Sequence, residues 1–169
     1  MSWANGSAMR VSPCSWVAGS LEESQKLARI SSIVTHNRLE GIKGALVTSD
    51  AIYLARTGVG KEGIKQHIES QYDYDLSRSV DEIRNVYSFD VSCAGSVPES
   101  IICFLEGNSY EDTVRNAVSL GGDADTQAAI AGSIASAYWE IPKNISFKSI
   151  NRLSHDLLRV LIRFEEKFM

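Results

Sequence analysis

The stretch GGDADTQAAIAGSIASAYW, residues 121–139, constrains the fold more than any other part of the chain. After the paired glycines, Ala128, Ala129, Ile130, Ala131, Gly132, Ser133, Ile134 and Ala135 are small and mostly apolar on every side. A helix that is apolar all round belongs in an interior. No segment elsewhere alternates with period two over a useful length, and nearly every segment reads as helix. The expectation is an all-α fold, a compact orthogonal helical bundle with no long coiled coil.

The other helices are marked by their ends. Ser20-Leu-Glu-Glu23 is a capping-box pattern, followed by Leu27, Ile30 and Val34 at helical spacing. A second helix is expected from Glu40 through Ala55, stopped by Gly58, and a third from Lys61 to Tyr72. Residues 73–92 are mixed, with one or two helical turns at Val80–Val86. Ser96-Val-Pro-Glu99 reads as a second capping box with Pro98 in the first turn, on a helix ending at Gly107. Ser109 opens the next helix, with Glu111 and Asp112 in its first turn. The last helix is expected over Ser146–Lys167, with Leu153, Leu157, Leu158, Leu161 and Phe164 as its apolar stripe.

A chain of 169 residues suits one domain, here residues 1–169. Its net charge of −4 advertises no basic surface for nucleic acid. No apolar run approaches the roughly 20 residues needed to cross a bilayer, and MSWANGSAMRVS lacks the regions of a signal peptide. Cys14, Cys93 and Cys103 are odd in number and lack Cys-x-x-Cys spacing, which argues against a disulfide framework or a thiolate zinc site. A reducing cytoplasm fits that usage best.

At the mouth of the small-residue helix stand Asp123, Asp125 and Thr126. Asp123 sits where an N-cap belongs, and Asp125 would complement the helix dipole. One cap needs one carboxylate, however, not two and a hydroxyl. A first turn drawn into the interior would give its carboxylates a need for partners. An all-oxygen set suits a hard divalent cation, Mg²⁺, Ca²⁺ or Mn²⁺. Positions i, i+2 and i+3 can converge at a helix start, and Gly121-Gly122 would permit the sharp approach.

These residues resemble the C-terminal signature of the ADP-ribosylglycohydrolase family, of the dinitrogenase-reductase-activating type. Asn5-Gly-Ser-Ala-Met-Arg10 resembles its asparagine-glycine motif. Thr35-His36 with Glu40-Gly-Ile-Lys-Gly-Ala45 resembles its histidine motif, and Phe89–Pro98 resembles the lead into its penultimate helix block. The resemblance implies an all-α hydrolase of the glycosidic bond between ADP-ribose and an acceptor, or of a small ADP-ribose compound. It also implies two Mg²⁺ ions in a cleft, with Mn²⁺ as a substitute. Carried over by motif, Asp123, Asp125 and Thr126 would ligate metal, and Asp123 and Asp125 would serve catalysis. Asn5, Gly6 and Ser7 would lie against the diphosphate, and His36 near the ribose or adenine. Met9 would line the site or fill core.

The family's N-terminal threonine-aspartate-aspartate metal motif has no match here. Thr48-Ser-Asp50 and Glu111-Asp112-Thr113 have neither its order nor its position. The expectation is a site only partly supplied by this chain, with weak metal binding and little turnover alone. The alternatives are a second polypeptide carrying the segment, self-association over uncovered apolar surface, a non-catalytic ADP-ribose-binding or helical interaction module, and a truncated relic needing a second chain.

Overall fold

The structure, a computed structural model, describes residues 2–168. Eleven helices are found among the described residues. In chain order they are α1 Gly6–Met9, α2 Ser12–Val17, α3 Leu21–Ile33, α4 Leu39–Arg56, α5 Lys61–Tyr72, α6 Val80–Arg84, α7 Cys93–Glu106, α8 Tyr110–Ser119, α9 Ala124–Tyr138, α10 Lys143–Ile150 and α11 His155–Phe168. Extended pairing among them is one isolated antiparallel bridge, Ala4 with Ser92. No described helix is long and apolar enough to cross a membrane.

The core lies between α4, α7 and α9. Val47, Ile52, Ile101, Phe104, Ile130 and Ile134 are buried there. Helix α9 packs against α4, α7 and α8, as its small residues invite. Helices α4 and α7 meet where a Cβ on Gly44 would lie 2.4 Å from the Cys93 sulfur, so only glycine fits. The periphery of α4 is tied by polar contacts. Ser15, Ser24 and Ser49 join hydroxyls at 2.8 Å across α2, α3 and α4. The wholly buried Asp50 accepts from Gln25, His67 and Tyr72 through one oxygen.

Several sequence expectations require correction. Helix α3 does start at Ser20, whose side chain accepts from the Glu23 amide, but its Ile30 and Val34 face solvent. The buried row is Ser24, Ala28 and Ser32, because small residues let α3 settle on α4. The N-cap of α7 is Ser92, not Ser96, so Pro98 lies inside the helix. The expected last helix is broken at 151–154 into α10 and α11, and neither buries a residue. Leu157 is 58 % exposed, so the stripe is only partly covered. Near the N-terminus, α1 and α2 are too short to show a helical period in the sequence.

Candidate functional site

The turn into α9 bends as its glycines suggest: Gly121 and Gly122 have φ of +77° and +63°, a region disfavoured for other residues. Asp123 follows in the N-cap place, yet its side chain makes no capping bond. Its Oδ2 instead accepts from the Asn5 side-chain amide at 2.6 Å. Asn5 is likewise an N-cap residue whose side chain does not cap, at the start of α1. Two helix starts distant in sequence are thus joined through their cap side chains.

Asn5 is buried, and its amide nitrogen also donates to Ser96 Oγ at 2.9 Å. The Ser96 hydroxyl in turn donates to the Asp90 carbonyl at 3.0 Å. Thr126 is buried beside Asp123 and its hydroxyl donates to the Met9 sulfur at 3.7 Å. Asp125 is exposed and accepts the Thr126 amide through Oδ1. The expectation that the first turn is drawn inward therefore holds for Thr126, holds in part for half-buried Asp123 and fails for Asp125. Met9 is 44 % exposed, so it borders the helix mouth and is not core filling.

The histidine motif folds over the asparagine-glycine turn. A Cβ on Gly6 would stand 3.1 Å from His36 Nε2, so the ring rests on the glycine backbone. Thr35 Oγ1 lies 2.7 Å from His36 Nδ1 and accepts from Arg10 Nη2 at 2.7 Å. Arg10 is therefore engaged by Thr35 and by the Ser31 carbonyl. Burial, then the Arg10 charge, hold the His36 pKa below its usual 6.5, which favours a neutral ring at pH 7. Beside this turn a cleft of about 560 Å³ is lined by Trp3, Asn37, Arg38, Leu39 and Glu40.

The side chains of the candidate Ser7 and of nearby Cys93 turn away from the mouth. The Ser7 hydroxyl donates to the Gly41 carbonyl at 2.7 Å and is buried. Cys93 donates to the Ala4 carbonyl, and burial pushes its thiol up to about 11, far from a reactive thiolate. A second cavity of about 530 Å³ lies between α2, the end of α9 and α11, but its walls, including Trp16, Leu157 and Phe164, are apolar. No acidic, basic, histidine or cysteine side chain lines it.

Sequence reasoning missed Ser96, Asp90 and Trp3. Ser96 was hidden by a convincing but false capping box. Asp90 acts through its main chain, which no residue pattern reveals. Trp3, 46 % exposed next to the asparagine-glycine turn, was open to notice as an aromatic beside a polar motif.

Among the described residues no group of three or more His, Cys, Asp or Glu side chains could hold a metal ion. The helix mouth offers two carboxylates and one hydroxyl. In kind, these oxygens fit a hard divalent cation; in number they fall short of a full shell.

An all-helical fold with carboxylates at the mouth of a buried small-residue helix, joined to an asparagine-glycine turn roofed by a histidine, defines a class. The family model for ADP-ribosylglycohydrolase matches residues 1–167, and the chain belongs to that family. It is 31 % identical to ADP-ribosylhydrolase ARH3 of Mus musculus, over 82 % of this chain and 50 % of that protein. The human ARH3 is 30 % identical over the same shares. An uncharacterized protein of Archaeoglobus fulgidus is 30 % identical over 78 % of this chain and 48 % of its own. The chain spans about half the length of the curated relatives it matches. A solved structure described as an ADP-ribosylglycohydrolase-related protein complex superposes with a TM-score of 0.76 at 24 % identity, covering 99 % of this chain and 61 % of that one, a likeness of fold.

Proposed function

We propose that this chain supplies the ADP-ribose-facing part of a hydrolase that cleaves the glycosidic bond of an ADP-ribosylated acceptor or a small ADP-ribose compound. The observation that carries it is Asp123: it occupies a cap position, leaves capping aside, and is held by the motif residue Asn5. Asp123, Asp125 and Thr126 would hold a divalent cation, Mg²⁺ or Mn²⁺. When bound, the cation would supply charge to orient ribose oxygens and acidify a water.

The protein's own contribution is largely positional. Asn5 fixes Asp123, and the buried start of α9 fixes Thr126. Exposed Asp125 is free to face substrate or take a proton, a step worth roughly 10²–10⁴-fold in general acid–base catalysis. The neutral His36 ring on Gly6 offers a flat surface to a sugar or base. Since Ser7 Oγ is turned to Gly41, any contact of Ser7 with a diphosphate would come from its main chain.

The shortfall of donors favours a second reading, a module that binds ADP-ribose without turning it over. Calorimetric titration with Mg²⁺ and then ADP-ribose tests both. Metal-dependent binding weakened at least about 100-fold in Asp123→Ala/Asp125→Ala is expected. Product release from an ADP-ribosylated peptide separates hydrolase from module. Equal affinity in the wild-type and double-variant proteins would overturn the site.

A further inference from the structure

We propose that Ser96 is a positioning residue for Asp123, acting through the Asn5 amide; this rests on the reading that Asp123 holds a divalent cation. Ser96 is wholly buried one turn inside α7, where a helix needs no hydroxyl. A serine hydroxyl has a single hydrogen. Here it goes to the Asp90 carbonyl at 3.0 Å. The Ser96 oxygen must then meet Asn5 as an acceptor, and it does so at 2.9 Å.

That polarity dictates which end of the Asn5 amide points inward. With the carbonyl end inward, oxygen would face the Ser96 oxygen and the Asp123 carboxylate together. With the nitrogen end inward, its two hydrogens go one to each, Ser96 at 2.9 Å and Asp123 Oδ2 at 2.6 Å. A donor on Oδ2 restrains rotation of the carboxylate and so the direction in which Oδ1 is presented. Charge-assisted bonds of this kind are the stronger ones.

The anchor of the relay is itself fixed. Asp90 Oδ1 accepts the Ser92 amide at 2.7 Å, and Ser92 Oγ accepts the Gly95 amide at 2.9 Å, capping α7. A Cβ on Gly95 would fall 2.1 Å from Asp90 Oδ2, so the loop sits tightly on the helix start. Asn5 is tied to the same loop by its main-chain N–H, which donates to the Val91 carbonyl at 2.8 Å. Ser96, Asn5 and the Asp90 carbonyl thus form one frame, and Asp123 is the group it aims.

A purely structural Ser96 would behave differently. Ser96→Ala in that case would lower stability, by leaving the Asp90 carbonyl and one Asn5 hydrogen without a partner, and leave metal affinity alone. As a positioning residue, Ser96→Ala frees the Asn5 amide to rotate. Groups that orient metal ligands typically change affinity 10–100-fold.

The experiment uses the full chain, with thermal melts confirming that each variant folds. Two readouts are taken: Mn²⁺ affinity by calorimetry, and the Asn5 side-chain NH₂ signals by NMR without metal. Ser96→Ala is expected to weaken Mn²⁺ 10–100-fold and to lose slow solvent exchange at the Asn5 NH₂. Ser96→Thr, which keeps the hydroxyl, should restore most of both. An Asn5 NH₂ that stays protected and unshifted in Ser96→Ala overturns the proposal whatever the metal does. Unchanged Mn²⁺ affinity in Ser96→Ala, with loss in Asp123→Ala, overturns it while leaving the cation site standing. Unchanged affinity in Asp123→Ala, or no Mn²⁺ binding by the wild-type chain, removes the cation reading and the proposal with it.

Discussion

Helices α9 and α11 are nearly equal in length, 15 and 14 residues, yet differ sharply in burial. Helix α9 has little separation of polar and apolar faces, and Ile130, Ala131, Ile134 and Ala135 are fully buried. Helix α11 has a sharply divided sequence and buries nothing. Amphipathic contrast states that a face is suited to burial; it does not supply the surface that covers it. Small residues act differently, because they allow α4, α7 and α8 to approach α9 closely. The proposed site residues stand on the closely packed side, where a carboxylate can be held at fixed geometry.

The largest test of this contrast compares one substitution on each side. Phe104→Ala should cost about 3–5 kcal/mol, since the side chain is fully buried in the core. Leu157→Ala should cost less than about 1 kcal/mol, close to an ordinary surface change. Urea melts of both variants measure the difference, and equal losses would break the comparison.

A sharper test probes close approach itself. Gly44→Ala places a Cβ 2.4 Å from Cys93 Sγ and should cost about 1–3 kcal/mol. Adding Cys93→Ala removes the sulfur and leaves only the Cβ of residue 93, at 2.7 Å, so the double variant should lose somewhat less than the sum of the singles. Strict additivity in the cycle would show that the contact is not tight.

The smallest effect concerns a charge on the packed side. Glu99 on α7 is 5 % exposed; one oxygen accepts from Arg78 at 2.5 Å and the other has no partner. Burial holds its carboxyl above the ordinary 4.5, against the lowering effect of the Arg78 bond. The folded chain therefore binds this proton more tightly than the unfolded chain. Its contribution to stability is greatest below the ordinary carboxylate range and declines as pH rises through the raised folded value. Glu99→Gln should flatten that decline in urea melts from about pH 4 to 7; an unaltered pH profile would contradict the assignment.

Much of the helical order was legible. Helix α5 begins and ends where the sequence suggests, Lys61 and Tyr72, and α4 and α8 lie close to expectation. The stop at Gly58, with φ of +87°, and the glycine turn before Asp123 follow from backbone freedom alone. What escaped depended on tertiary packing. Ser24, Ala28 and Ser32 form the inner row of α3, which a search for large apolar residues passes over. Ser96-Val-Pro-Glu99 imitates a helix start, although Ser92 already caps that helix. The break between α10 and α11 carries no glycine or proline, and its signal was Ser154, whose hydroxyl accepts the Leu157 amide at 3.4 Å. At the site, the residue types were legible in Asp123, Asp125, Thr126, Asn5 and His36. The pairing of Asn5 with Asp123 was not, because it joins positions 118 residues apart.

The most direct test of the central claim is paramagnetic broadening by Mn²⁺ in the ¹⁵N-labelled chain. The account predicts broadening at low Mn²⁺ that is confined to the amides of the Gly121–Gln127 turn and of Asn5 and Gly6, and that is abolished by Asp123→Ala/Asp125→Ala. Broadening centred elsewhere, or an identical pattern in the double variant, would contradict it.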